Sequence, residues 1–239
     1  MTFSSILSCM FAYGVCIGTE AKYEKFAKPG IARAVADGAM VFERRDQRSI
    51  YEAYESILVE VRETCETGLE GLILLHEDVE IRSPLDDTLR AEFASPDVAI
   101  VGAIGGRGVR GVRWDRSEIT RGHAPDASHG ENDRGRGAFD VDIVDGLLLA
   151  LSPWAISNLH FDTATYSGFH GYDADICMQA RSASRRVRAV ELGLFHHTKG
   201  GFGDVASHRR IDDAFRKKWG IRREPLWYRV VQQLRRKVY

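Results

Sequence analysis

Three short stretches carry most of the residues able to do chemistry: His76-Glu77-Asp78, Phe169-His170-Gly171-Tyr172-Asp173-Ala174-Asp175, and Phe195-His196-His197-Thr198. Each stands at the end of an apolar strand or at the start of a helix. The first follows Leu72–Leu75, an unbroken apolar run of strand length that reads as buried on both faces. Carboxylates beside such a strand cost several kcal/mol to bury unless something neutralises them. Their oxygens are hard donors suited to Mg²⁺ or Mn²⁺, and a metal so held can grip a diphosphate. A strand followed by an acidic surface turn accounts for the same stretch equally well.

The elements that must position these groups alternate. Apolar runs at Phe3–Val15 and Ala39–Glu43 read as strands. Glu20–Val35 has helical spacing broken by Pro29-Gly30. Ser49 with Glu52 forms a capping box for a helix over Ile50–Thr67 that ends at Gly68. The acidic strand comes next, then a helix over Pro84–Phe93 and a compact strand at Val98–Val101. Strand, helix, strand, helix, strand predicts an α/β fold with a mostly parallel central sheet flanked by helices. The carboxyl ends of parallel strands share one edge, where such folds bind ligands, so all three chemical stretches can meet there.

Residues 105–137 are crowded with Gly, Arg, Asp, His and Ser and show little periodicity, as in a lid or an unstructured insertion. The core restarts at Val141–Leu151. Ser152-Pro153 opens a helix, Asp173–Ser184 forms another, and Val187–Leu194 is a further strand. From Phe215 to Tyr239 the chain is basic, with Glu224 its single acid, and Leu226, Trp227, Val230, Val231 and Leu234 fall at helical spacing. The expected organisation is therefore a catalytic-type domain over 1–214 and a basic amphipathic segment over 215–239. That segment is expected to dock on its own domain; peripheral contact with an anionic membrane surface is the alternative.

The chain's 239 residues, 44% hydrophobic and 28% charged with net charge −1, suit one large domain and exclude a strongly basic whole-protein footprint. No nucleic-acid partner is expected. Cys9, Cys16, Cys65 and Cys177 form no Cys-x-x-Cys pair, which fits a reduced, cytoplasmic setting. Ile6–Ile17 lacks a basic leader and reads as core strand, not export signal.

The order Leu75-His76-Glu77-Asp78-Val79, Val144-Asp145-Gly146-Leu147-Leu148, Phe161-Asp162, Gly168–Cys177, then His196-His197 resembles family 2 glycosyltransferases of the GT-A fold. Within them it is most similar to the streptomycin-biosynthesis-type glycosyltransferase-like branch. Ile50–Glu55 and Lys218-Trp219 fit that branch too, and the likeness runs from about Ser49 to Trp219. The resemblance implies a nucleotide-sugar donor (UDP-, GDP- or dTDP-linked), a saccharide or other hydroxyl acceptor, and a divalent metal, Mn²⁺ or Mg²⁺. Glu77 and Asp78 stand in the place of the metal-binding acidic motif, with Asp78 the expected direct ligand. His196 or His197 matches a position that supplies a further ligand. Asp173 matches the general base, with Asp175 near enough to compete, and either can instead cap the helix. Asp145, Gly146 and His170 fall on the acceptor side. Inversion at the anomeric carbon also follows from the resemblance alone.

Departures are plain. Tyr172 stands where the family has Glu, and Cys9–Tyr13 shows no version of the nucleotide-base signal, leaving Glu43 and Asp46 as nearest acids. Arg107, Arg110 and Arg113 offer themselves to phosphate. No phosphate loop or dinucleotide turn follows a strand. The rivals are a nucleotidyltransferase acting on sugar phosphates and a non-catalytic binding protein of the same fold.

Overall fold

The computed structural model of the chain describes residues 10–36, 38–64, 69–200 and 205–222. In chain order its elements are β1 (Met10–Ile17), α1 (Glu20–Lys22), a π-turn (Tyr23–Ala27), α2 (Lys28–Ala36), β2 (Met40–Arg45) and α3 (Ile50–Thr64). There follow β3 (Leu69–His76), β4 (Val79–Ile81), α4 (Asp86–Phe93), β5 (Val98–Gly102), β6 (Ile104–Arg107) and a 3₁₀ turn (Trp114–Arg116). The chain continues through β7 (Ile119–Gly122), β8 (Ala138–Val141), β9 (Ile143–Val144), β10 (Leu148–Leu151) and α5 (Pro153–Asn158). It closes with α6 (Tyr172–Ser182), β11 (Arg186–Val190), β12 (Leu194–His196) and α7 (Val205–Trp219).

Seven strands form the central sheet in the order β2-β1-β3-β10-β5-β11-β8. β1, β2, β3, β5 and β11 run one way, while β10 and β8 run against them. β3 is buried on both faces, as its apolar run requires: Leu72 and Leu74 enter one core, Ile73 and Leu75 the other. β10 divides likewise, Leu149 and Leu151 against Leu148 and Ala150. Apolar residues of α3, α5, α6 and α7 cover the first face; those of α2 and α4 cover the second. The expected α/β sheet with helices on both sides is what forms, though half of its strand pairings are antiparallel.

Three local readings changed. Pro29-Gly30 does not break the helical stretch read over Glu20–Val35. The π-turn lies immediately before it, Pro29 falls in the first turn of α2, and Gly30 lets that helix lie against Ile81, whose Cβ stands 2.7 Å from where a side chain would begin. Ser49 does not spend its hydroxyl on a capping box; it accepts from the Gly168 amide at 3.1 Å and donates to the Gly168 carbonyl at 3.3 Å. The stretch read as a long loop holds β7 and most of β6, which pair with each other and with β9 beyond it in a second sheet, β7-β6-β9, grown from the carboxyl end of β5. Glycine masks its strand character: Gly105 and Gly106 sit in β6 where a side chain would strike the Ile143 carbonyl or Ser117.

The boundary expected at residue 214 falls inside α7, whose Phe215 is fully buried in the core. The basic segment beyond residue 222, the first strand's residues 3–9 and the end of the third helix at 65–67 lie outside the described residues. Among the described residues no helix is long and apolar enough to cross a membrane.

Candidate functional site

β1 and β3 finish side by side, with Cys16 opposite His76, and antiparallel β10 begins at that same edge, where the His76 amide donates to the Leu147 carbonyl at 3.0 Å. The chain leaving β3 turns into β4, which pairs with β12 so that His196 stands opposite Val79. These registers bring His76, Asp78 and His196 together: one ligand atom from each lies within 4.8 Å of the others. Asp78 is buried. Its Oδ1 meets His196 Nε2 at 3.1 Å and its Oδ2 accepts from Lys22 Nζ at 2.9 Å. Burial alone would raise its proton affinity, but His196 and Lys22 outweigh that and hold the carboxyl well below the usual range. His76 goes the other way: burial first, then the nearby His196, push its imidazole down to about 4. Two imidazoles and one carboxylate suit Mn²⁺ better than Mg²⁺. The donor set fits a divalent metal, and Lys22 supplies positive charge to Asp78 at the same place.

The other two residues expected at the metal are used elsewhere. Glu77 Oε2 accepts the backbone amides of Gly18 and Thr19, the latter at 2.6 Å, fixing the turn from β1 into α1. His197 Nε2 meets Glu80 at 2.9 Å and its ring stacks on Phe26 at 3.8 Å. Sequence spacing did not separate His196 from His197; strand alternation does, since neighbours on β12 and its continuation point opposite ways.

α6 begins at the same edge. Asp173 Oδ2 accepts from the Gly146 amide at 2.9 Å. Burial, and then the charge of Asp145, lift the Asp173 carboxyl to about 7. Asp145 is held by Trp114 Nε1 at 2.6 Å and by the Leu147 amide at 3.0 Å. Between the metal-type cluster and Asp173 lies Tyr172, its hydroxyl 2.5 Å from His76 Nε2 and 2.9 Å from the Gly146 carbonyl. Gly146 must be glycine, because a Cβ there would lie 2.2 Å from that hydroxyl.

Asp175, two residues on, faces inward. It is 1% exposed and engages Lys218 Nζ, Trp219 Nε1 and Gln179 Nε2, each at 2.9 Å. Its work is to hold the end of α7. His170 is partly buried, its carbonyl taking the Tyr51 hydroxyl at 2.8 Å and its ring 5.4 Å from that of His208. Phe169 beside it is 50% exposed. Arg107 ends β6 on the surface, Arg110 pairs with Glu118 at 3.2 Å and Arg113 with Asp115 at 2.9 Å. Glu43 receives the Tyr23 hydroxyl and Arg45, and Asp46 follows β2 in a left-handed turn. His76 and Tyr172 stand in the stretches singled out from the sequence but carried no assigned role there, and Lys22 was not singled out. His76 had a legible signal, being the first polar residue after a doubly buried strand; Lys22 had none.

A two-faced α/β sheet whose carboxyl edge gathers an acid–histidine cluster and a second carboxylate defines a protein of the GT-A type. The fold is shared with a solved structure, A197 from STIV, at TM-score 0.52 and 12% identity over 80% of this chain and 86% of that one. A looser likeness, TM-score 0.47 and 12% identity over 90% of this chain and 70% of the other, is to the mannosyltransferase PcManGT from Pyrobaculum calidifontis, solved with GDP-Man and Mn²⁺. No family model matches the chain. The streptomycin biosynthesis protein StrF of Streptomyces griseus is 32% identical over 203 residues, which is 84% of this chain and 71% of StrF. The chain belongs to the StrF family of glycosyltransferase-like proteins.

Proposed function

We propose that this chain transfers a sugar from a nucleoside-diphosphate donor to a hydroxyl acceptor, with Asp173 as general base. The observation that carries the reading is the run of contacts from Asp78 through His196, His76, Tyr172 and Gly146 to Asp173 along one sheet edge. The run joins three side chains able to hold a cation to a carboxylate whose proton affinity is raised by burial and then by Asp145, which supports the reading. A divalent cation held by Asp78, His196 and His76, Mn²⁺ before Mg²⁺, would neutralise the diphosphate and the charge growing on it as it leaves.

The chain's own residues supply the rest. Asp173 takes the acceptor hydroxyl's proton as that oxygen bonds to the anomeric carbon, and the bond from that carbon to the diphosphate breaks. Attack opposite the departing diphosphate inverts the centre. Burial and then the like charge of Asp145 keep Asp173 basic, and the Gly146 amide keeps it aimed. Lys22, 33% exposed along its side chain, lies within reach of both Asp78 and an entering phosphate. UDP-, GDP- and dTDP-sugars all remain candidate donors, and a saccharide is the expected acceptor.

Two variants test the assignment of roles. Asp78→Ala should lose Mn²⁺-dependent donor binding. Asp173→Asn should lower transfer by about 10²–10⁴-fold while binding donor normally, the range for removal of a general base. Equal loss of donor affinity in both variants would undo the division of labour.

A further inference from the structure

The Tyr172 hydroxyl has one proton and two close partners. It donates to the Gly146 carbonyl at 2.9 Å, and His76 Nε2 lies 2.5 Å away on its other side. A hydroxyl that has given its proton to a carbonyl can only accept from the next partner, so the imidazole proton sits on Nε2. That leaves the lone pair on Nδ1, which no described residue takes up. The arrangement is rigid. Tyr172 is 3% exposed and held edge-on by Tyr51 and Tyr54 at 6.2 and 5.5 Å, and glycine at 146 is what lets the hydroxyl in.

We infer that Tyr172 is a positioning residue that fixes the His76 tautomer and presents Nδ1 as the cation's nitrogen ligand. A ligating histidine is generally held this way, its second nitrogen donating to a fixed acceptor that sets ring orientation and basicity. Here the acceptor is a tyrosine that opens the same helix as Asp173, so the cation site and the base share one support. The inference rests on the divalent-metal reading above for its purpose but not for its geometry.

Two measurements separate them. Long-range ¹H–¹⁵N spectra of metal-free protein carrying ¹⁵N-histidine should show the His76 proton on Nε2; a proton on Nδ1 overturns the inference, whatever the metal does. Manganese binding followed by electron paramagnetic resonance should weaken about 10–100-fold in Tyr172→Phe, the usual cost of losing such a partner. It should be unchanged in Tyr54→Phe, which loses another buried hydroxyl, the one 3.2 Å from the Leu75 carbonyl. Equal manganese affinity in wild type and Tyr172→Phe refutes the positioning role while leaving the metal site standing. Wild type that binds no manganese refutes the metal reading, and the tautomer is then decided by the spectra alone.

Discussion

On the proposed mechanism, Asp173 sets the pH dependence of transfer. Its carboxyl is lifted to about 7, first by burial and then by Asp145. As the proposed base it must be ionised to act, so kcat/KM should rise with pH through about 7 and then level. Asp145→Asn removes the like charge and keeps an oxygen for the Trp114 indole, so the acidic limb should move to lower pH; an unmoved limb would mean the two carboxyls do not interact. Stability runs the opposite way. The folded state binds this proton more tightly than the unfolded chain, whose carboxyl titrates near 3.8. The stabilisation is complete below that value and is lost as pH rises toward 7. Asp173→Asn should therefore melt about 5 °C above wild type at pH 8 and show no such gain at pH 4. The sequence brought Asp173 and Asp175 into view without ranking them. Residues two apart on a helix point about 200° from each other, so one faces the sheet edge and the other the packed side. Which is which depends on how α6 lies, and no local pattern records that.

At the scale of elements, Asp175 explains why α7 packs where it does. Its buried carboxylate is met by Lys218 and Trp219 at the helix's last turn, and Lys218 also reaches Asp162 at 2.7 Å. Lys218→Met should destabilise the protein by about 3 kcal/mol in chemical denaturation, because it strips the cation from a buried carboxylate. The double variant Lys218→Met, Asp175→Asn should recover much of that loss, and a double variant no better than the single would rule out the charge account. Lys218-Trp219 was legible as part of the family likeness, but its partner was not, since 43 residues separate it from Asp175. The Gly-rich stretch after β5 misled for a different reason: glycine in β6 serves close backbone approach, and removing side chains removes the alternation by which strands are read.

Over the whole molecule, the alternation of apolar runs and helices, and the doubly buried strand ending in acids, were enough to read an α/β sheet with acidic residues gathered at its carboxyl edge. The reversed direction of β10 was not readable. A central strand buried on both faces has the same unbroken apolar pattern whichever way it runs, and only its antiparallel pairing with β3 and β5 shows the reversal. That reversal matters, because it delivers Asp145 and Gly146 to the edge where β1 and β3 end. The proposed function requires this edge to hold a nucleoside-diphosphate sugar through a cation. Titration calorimetry of the protein with UDP-, GDP- and dTDP-sugars, in manganese and again in chelator, tests it most directly. Saturable binding of at least one donor in manganese, abolished by chelator, is the predicted result. Binding of none of them, or binding indifferent to the metal, would contradict it.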